Sequence, residues 1–500
     1  MELEQARKEL LSLQSTLSAY NHAMELLSYD GETTAPRDTA ENRAHTMGIL
    51  SEITYKLSTG KDTVGLLTFL EEHKEALTPK EQRMVYLLLK DIRFMEKIPL
   101  DEYVAYERFV VECQNVWYQA KQNSNFAAYA PYLEKMIGYR IRFAHYAAPD
   151  MDPYDYWLND FEPGLSKAVC EQFFDQLKAR LLPLIHACAQ RPQVSDDCIK
   201  GCFDQARQEK LALWLMDVMG LDRNHVGLST TEHPFTTSLG SHLDERITTH
   251  YYPEDVSYSM YSVIHEGGHA LYDTGSEKDL AYTVLDGGVS MGIHESQSRF
   301  YENILGRSKG FMQYLFPQLQ KLFPEEMAPY TWQDLYRAVN RVQPSLIRTE
   351  ADEVTYCLHV MIRFELEKQL MAGELQVRDL PAAWNRMYKE YLGIDVPNDR
   401  QGVLQDSHWS FGAIGYFPSY ALGSAYGAQF LAKMKETIDV DGAMARGDFG
   451  PINEWNREHI WKYGSCLTPA EILNNALGAP FDPGYYLDYL ESKCRDVYQF

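Results

Sequence analysis

The chain has 500 residues and carries 47 lysines and arginines against 71 aspartates and glutamates, a net charge of −24. That balance excludes a nucleic-acid binder, which needs a basic footprint, and equally opposes docking on anionic lipid. With 45% hydrophobic and 13% aromatic residues the chain is not a disordered one, and at this length it buries enough apolar surface to fold without disulfide or metal staples.

Eight cysteines (113, 170, 188, 198, 202, 357, 466 and 494) are scattered with no CxxC pair, a pattern that predicts reduced thiols and a cytoplasmic protein. The opening MELEQARKELL is charged and lacks the apolar core of a secretory signal. No run approaches the ~18 apolar residues of a membrane span.

Helical periodicity dominates the first 225 residues. Leu10, Leu11, Leu13, Leu17 and Tyr20 share a helical spacing, and Thr39 to Leu57 reads as a second helix. Pro79 to Met95 follows Thr78, a good N-cap with proline in the first turn. Helices are expected at 101–122, 126–146, 166–190 and 195–219, the last stopped by Gly220. From Gly227 to Tyr252 the pattern changes. His233-Pro234-Phe235 and Arg246 to Tyr251 read as two short strands around a turn at Gly240. Helix resumes near Glu254 and recurs near 291–305, 331–342, 349–371, 378–391, 418–436, 468–475 and at the C-terminus. There is no repeat, linker or low-complexity tract. The expected architecture is therefore mainly α. It is one large helical fold over 1–500, with a mostly helical half 1–225, a second half 226–500 that carries the metal site and substrate groove, and a small β element beside the helix that resumes near Glu254.

His265-Glu266-Gly267-Gly268-His269 is an HExxH motif. On a helix, positions i and i+4 share a face, so both imidazoles reach one Zn²⁺, while Glu266 is placed to take a proton from water without being a ligand. Gly267 and Gly268 each weaken a helix interior by about 0.8–1 kcal/mol relative to alanine, so small residues there signal that another backbone or a substrate comes close. A catalytic zinc needs a third protein ligand. Glu295, in Gly292-Ile293-His294-Glu295-Ser296-Gln297-Ser298-Arg299, lies 26 residues beyond His269, enough for a turn and a returning helix. His294 is the rival ligand, about 100° away on the helix.

HEGGH followed by HESQS resembles the M32 family of metallocarboxypeptidases, the thermostable carboxypeptidase Taq type. Further similar blocks stand in order: His233-Pro234-Phe235, Asp244 to Thr248, Ile347-Arg348-Thr349-Glu350-Ala351-Asp352, and Gly402 to Trp409. Others are Tyr29-Asp30 with Pro36, Phe161-Glu162-Pro163-Gly164, and Gly415-Tyr416-Phe417-Pro418-Ser419-Tyr420, so the resemblance covers essentially the whole chain.

The resemblance implies a saddle-like helical protein with a deep groove, usually a homodimer. It implies a zinc-dependent, gluzincin-like exopeptidase that releases single residues from peptide C-termini. It also implies His265, His269 and Glu295 as metal ligands and Glu266 as catalytic base. The same ligands would also hold cobalt or manganese.

A C-terminal exopeptidase needs a cation for the substrate's free carboxylate, and arginine's fork suits it best. Arg348 is the first candidate and Arg246 the second. The competing role for Arg348 is an ion pair with Asp352 at i+4, and the strand bearing Arg246 is a candidate edge for pairing with an extended substrate. His408 and Tyr420 are candidate donors to the oxyanion, with Gln405 and Asp406 available to position them or, for Gln405, to bind substrate. His294 is a candidate to orient Glu295. Two other readings are an endo-acting helical zinc oligopeptidase and a catalytically silent helical scaffold; in the latter a residue of the HExxH-plus-Glu set would be missing. In an acidic chain, a peptide carboxylate also requires a locally positive focus around Arg348 and the metal.

Overall fold

Helix starts in this chain are written by capping residues. Thr78 accepts a hydrogen bond from the Glu81 N–H while the Glu81 carboxylate reaches back to the Thr78 N–H, and Pro79 fills the first turn of the helix Pro79–Lys97. Gly220 ends the helix Gln205–Met219 in the left-handed region, at φ +83°. The structure is a computed structural model that describes residues 2–500. It is mainly α, with one small three-stranded sheet.

Long helices run from Leu3–Thr33 through Lys167–Ala189. The expected helix at 195–219 begins ten residues late, because Asp204 caps it and residues 197–199 form only a short turn. Helices at Lys61–Glu72, Pro153–Phe161 and Lys309–Leu322 escaped the periodicity reading. Apolar packing divides near residue 98 rather than near 225. Ala6, Leu10, Leu67, Leu70, Val85 and Leu89 form a cluster of their own that meets the rest of the chain through Leu280 and Leu285. The larger core runs from Ile98 to Tyr498. The helix Ala40–Thr59 contributes no buried residue to either. No helix among the described residues is long and apolar enough to cross a membrane.

The sheet has the order β1-β3-β2, with β1 Val226–Thr230, β2 Thr236–Ser238 and β3 Glu245–Thr249. β1 runs parallel to β3 (Val226 opposite Glu245) and β2 antiparallel to it (Thr236 opposite Ile247). β1 was not foreseen, and His233-Pro234-Phe235 precedes β2 instead of forming a strand. The turn at Gly240 is present, with φ +72°. A Cβ there would lie 2.6 Å from His22 Cβ, because the β2–β3 connection rests directly on the first helix. Ser18 Oγ and His22 Nδ1 bond its carbonyls at 2.6 and 3.0 Å.

Candidate active site

Two helices bring the HExxH histidines and Glu295 together. The helix Val256–Thr274 is capped by Asp255, whose carboxylate accepts from the Ser257 N–H at 2.9 Å. The helix Met291–Arg299 is capped by Ser290, and the buried Glu162 carboxylate accepts from the Gly292 N–H at 2.9 Å. Both satisfy N–H groups that a helix start leaves open. Glycine sets the spacing. A Cβ on Gly268 would lie 2.9 Å from the Gln297 carbonyl oxygen and 2.9 Å from Ser298 Cα, and one on Gly423 would lie 2.7 Å from Glu295 Cβ. The helix bearing Glu295 thus nests between two glycine faces, so the neighbour that Gly268 admits is another backbone.

The Glu295 Oε2 atom lies 3.9 Å from His265 Nε2 and 3.7 Å from His269 Nε2. One donor atom from each of the three residues lies within 4.8 Å of the others. Two imidazoles and a carboxylate are a donor set that zinc, cobalt(II) or manganese(II) accepts once both rings are neutral; against burial, Glu302, Glu295 and Glu266 raise the His265 pKa, so a cation must displace a proton there. Burial, with His294, His265 and Arg299 nearby, pushes the His269 pKa well below its ordinary value, as a ligand requires.

A second tier fixes the three side chains. His265 Nδ1 bonds Glu302 Oε2 at 2.8 Å, leaving Nε2 free to face Glu295. Glu302 sits on a wide π-type turn, Phe300–Leu305, and receives Arg299 Nη1 at 3.3 Å and Arg307 Nη2 at 2.9 Å. Burial alone would push the Glu302 carboxyl up, but Arg299, His265 and Arg307 hold it well below the usual carboxylate range. Arg299 Nε also bonds Glu295 Oε1 at 2.7 Å. His294 orients His269 rather than Glu295. Its Nδ1 lies 2.6 Å from His269 Nδ1, and its Nε2 lies 3.1 Å from Asp273 Oδ1. The 100° offset along the helix turns it away from Glu295.

Glu266 follows His265 on the same helix and is 8% exposed. Thr236 Oγ1, on the edge strand β2, donates to its Oε2 at 2.6 Å. Burial raises the Glu266 pKa, opposed by His265 and Thr236.

Arg348 is buried. Its Nε and Nη2 donate to Asp406 Oδ1 at 3.1 and 2.9 Å, and its Nη1 donates to Tyr356 OH at 3.0 Å. Asp406, not Asp352, is therefore its counter-ion. Asp352 instead accepts from the N–H groups of Gln343, Val354 and Thr355. The second oxygen of Asp406 takes Arg363 Nε at 2.8 Å. Gln405 spends its side chain internally: Oε1 accepts from the Arg348 N–H and Arg363 Nη2, and Nε2 donates to Leu346 and Gln401 carbonyls. Those bonds place Gln405 against the Arg348 turn, where it holds the arginine's backbone.

The edge expected at the strand bearing Arg246 lies elsewhere. β3 is the central strand, so the edges are β1 and β2, with β2 the one that reaches Glu266 through Thr236. Arg246 lies opposite Thr237, one residue beyond Thr236, and strand alternation sends it to the other face of the sheet. There it pairs with Asp244 at 2.6 and 3.1 Å and lies near the Tyr29 ring.

His408 Nε2 and Tyr420 OH are 3.2 Å apart, and the Tyr420 ring centroid lies 4.8 Å from Arg348 Cζ. Burial pushes His408 down to about 4, so its ring is neutral, and pushes Tyr420 well up, so its hydroxyl keeps its proton.

Sequence reasoning missed Glu302, Arg307, Arg363, Asp273, Thr236 and Tyr356. Glu302, at i+7 from Glu295, and Asp273, at i+4 from His269, were within reach of helical spacing; the others meet the site only through tertiary folding. Four guanidinium groups (Arg299, Arg307, Arg348 and Arg363) pair with three carboxylates (Glu295, Glu302 and Asp406), and with Glu266 the site sets four arginines against four carboxylates, so a positive focus there requires the cation.

Comparison with known proteins gives the family. The family model described as carboxypeptidase Taq (M32) metallopeptidase matches residues 9–494. Carboxypeptidase 1 of Bacillus subtilis is 38% identical over 502 residues, covering 100% of both chains. Thermostable carboxypeptidase 1 of Pyrococcus furiosus is 35% identical, covering 97% of this chain and 98% of its own. The crystal structure of the M32 carboxypeptidase from Deinococcus radiodurans superposes with a TM-score of 0.96 at 36% identity, over 99% of this chain and 100% of that one. The chain belongs to the carboxypeptidase Taq (M32) family of metallopeptidases, peptide hydrolases of the metallocarboxypeptidase class.

Proposed function

We propose that the protein releases single amino acids from the C-termini of peptides, using a zinc ion held by His265, His269 and Glu295. The observation that carries this reading is the convergence of those three donor atoms within 4.8 Å of one another, with Glu266 next to His265 on the same helix. When bound, the cation supplies Lewis-acid polarisation of the scissile carbonyl and lowers the pKa of water. Glu266 accepts the proton of the attacking water and passes it to the leaving amine. Thr236 holds its carboxylate during both transfers. Tyr420 O–H and the neutral His408 ring are the donors available to the developing oxyanion. Arg348 binds the terminal carboxylate and so fixes the scissile bond one residue from the end. Gln405 and Asp406 position Arg348, and the edge strand β2 offers its backbone to an extended peptide. Cobalt(II) or manganese(II) would substitute in the same donor set.

The reading includes a single peptidase domain over 1–500, a substrate groove, a homodimer and a cytoplasmic setting. The groove and the dimer are what the family resemblance implies; eight free cysteines support the cytoplasmic setting. The test compares one peptide carrying a free C-terminal carboxylate with its C-terminal amide. Cleavage of the free form alone is expected. Internal cleavage of the amide at the same rate would make the protein an endo-acting oligopeptidase.

A further inference from the structure

Buried donors without acceptors mark where a ligand belongs, because a polar hydrogen shut away from water costs free energy until something accepts it. Arg348 has five N–H groups. Three are used, two on Asp406 and one on Tyr356, so one N–H on each of Nη1 and Nη2 has no acceptor among the described residues. Tyr356 OH accepts from Arg348 Nη1 at 3.0 Å, and its own proton has no acceptor among the described residues. Both residues are about 95% buried, at 5% and 4% exposure.

The Tyr356 ring is held from two sides. Arg299 Cζ lies 4.1 Å from its centroid, and the Tyr420 ring stands edge-on at 6.4 Å. Arg299 is the residue that bonds Glu295, so Tyr356 physically joins the ligand-bearing helix to the Arg348 turn. Burial raises the Tyr356 pKa against the pull of Arg299 and Arg348, which keeps the hydroxyl protonated at neutral pH.

We infer that Tyr356 is a second carboxylate-binding residue, donating its O–H to the substrate's terminal carboxylate beside the two unused Arg348 N–H groups. Two unused guanidinium N–H groups and the hydroxyl in contact with them make three donors, which suits a carboxylate, whose two oxygens offer about four lone-pair sites. The inference rests on the proposed role of Arg348 and adds to it. A neutral amide in the same place would leave donor facing donor, so Tyr356 raises the selectivity for a free C-terminus as well as the affinity.

The test measures binding without turnover. Zinc-loaded Glu266→Gln protein is titrated calorimetrically with an N-acetylated tripeptide and with its C-terminal amide, then compared with the Glu266→Gln/Tyr356→Phe double variant. Phenylalanine keeps the ring under Arg299 and removes only the hydroxyl. Affinity for the carboxylate peptide is expected to fall about tenfold or more, the loss of one charge-assisted hydrogen bond, with affinity for the amide unchanged. The unchanged amide affinity also shows that the variant folds. Equal carboxylate affinity with and without the hydroxyl would overturn the assignment of Tyr356 while leaving Arg348 in place. No preference of the parent protein for the carboxylate peptide would overturn the Arg348 role and the Tyr356 role together. An equal loss for both peptides would make Tyr356 a general packing residue and reject the assignment.

Discussion

Gly268→Ala adds one methyl group where two helices touch. The new Cβ would stand 2.9 Å from both the Gln297 carbonyl oxygen and Ser298 Cα, and 3.2 Å from the Gln297 carbonyl carbon. Unstrained carbon contacts lie at about 3.5–4.0 Å, so the backbones must part by roughly half an ångström. Backbone cannot rotate aside, and overpacking of this kind costs about 1–3 kcal/mol. Alanine returns about 0.8–1 kcal/mol of helix propensity, which leaves a net loss of roughly 0–2 kcal/mol, towards the upper end because backbone and not side chain must move. The displaced segment carries Glu295, so cation affinity should fall as well. The neighbouring Gly267→Ala is the internal control. Its Cβ would meet Met219 Cε at 2.9 Å and Leu221 Cδ1 at 3.1 Å, the ends of side chains that can swing away. Denaturant midpoints and competitive chelator titrations of both variants decide the matter. Gly268→Ala should lose on both measures and Gly267→Ala on neither. Equal stability and equal cation affinity for the two variants would refute the claim that glycine sets the Glu295 distance.

Glu302→Gln keeps the side-chain shape but removes the charge that balances Arg299 and Arg307 and orients His265. Cation affinity should fall about 10- to 100-fold in a chelator competition, and an unchanged affinity would show that Glu302 does not tune the site. Glu367 gives a pH prediction. Burial pushes its carboxyl up to about 7, against donation from Trp409, Gly415 and Tyr154. The folded state therefore holds a proton that the unfolded chain releases near the ordinary 4.5, so this stability is present at low pH and is lost as pH rises through about 7. The shift corresponds to roughly 3 kcal/mol. Glu367→Gln should flatten the fall in denaturant midpoint between about pH 5 and about pH 7, leaving the similar contribution of Glu162; an identical fall in both proteins would contradict it.

What was legible in the sequence was local or periodic. The i, i+4 histidines need only a helix, and Thr78 with Pro79 announces one. The turn at Gly240 follows from glycine's freedom at positive φ. Residues 195–219 misled because Cys198, Ile199 and Phe203 are apolar at plausible helical spacing, yet they pack as a turn and loop that Asp204 ends. The partner of Arg348 was also out of reach. Asp352 sits at the right spacing for an ion pair, but its oxygens cap the turn before residue 356, and Asp406 arrives from 58 residues away. Edge and central strands could not be told apart either, since β1 was unseen and Arg246 then appeared to lie at the rim. The acidic net charge proved uninformative about the site itself, where arginines match the carboxylates in number.

The central claim is a cation-dependent cut at the peptide's free C-terminus with Glu266 as base. Mass spectrometry of one long peptide tests it most directly, with the protein as purified, after chelation, after zinc is restored, and with Glu266→Gln. The account predicts a ladder shortening residue by residue from the C-terminus, abolished by chelation, restored by zinc, and lost by several orders of magnitude in the variant. Internal fragments, a ladder indifferent to chelation, or near-normal turnover by Glu266→Gln would contradict it.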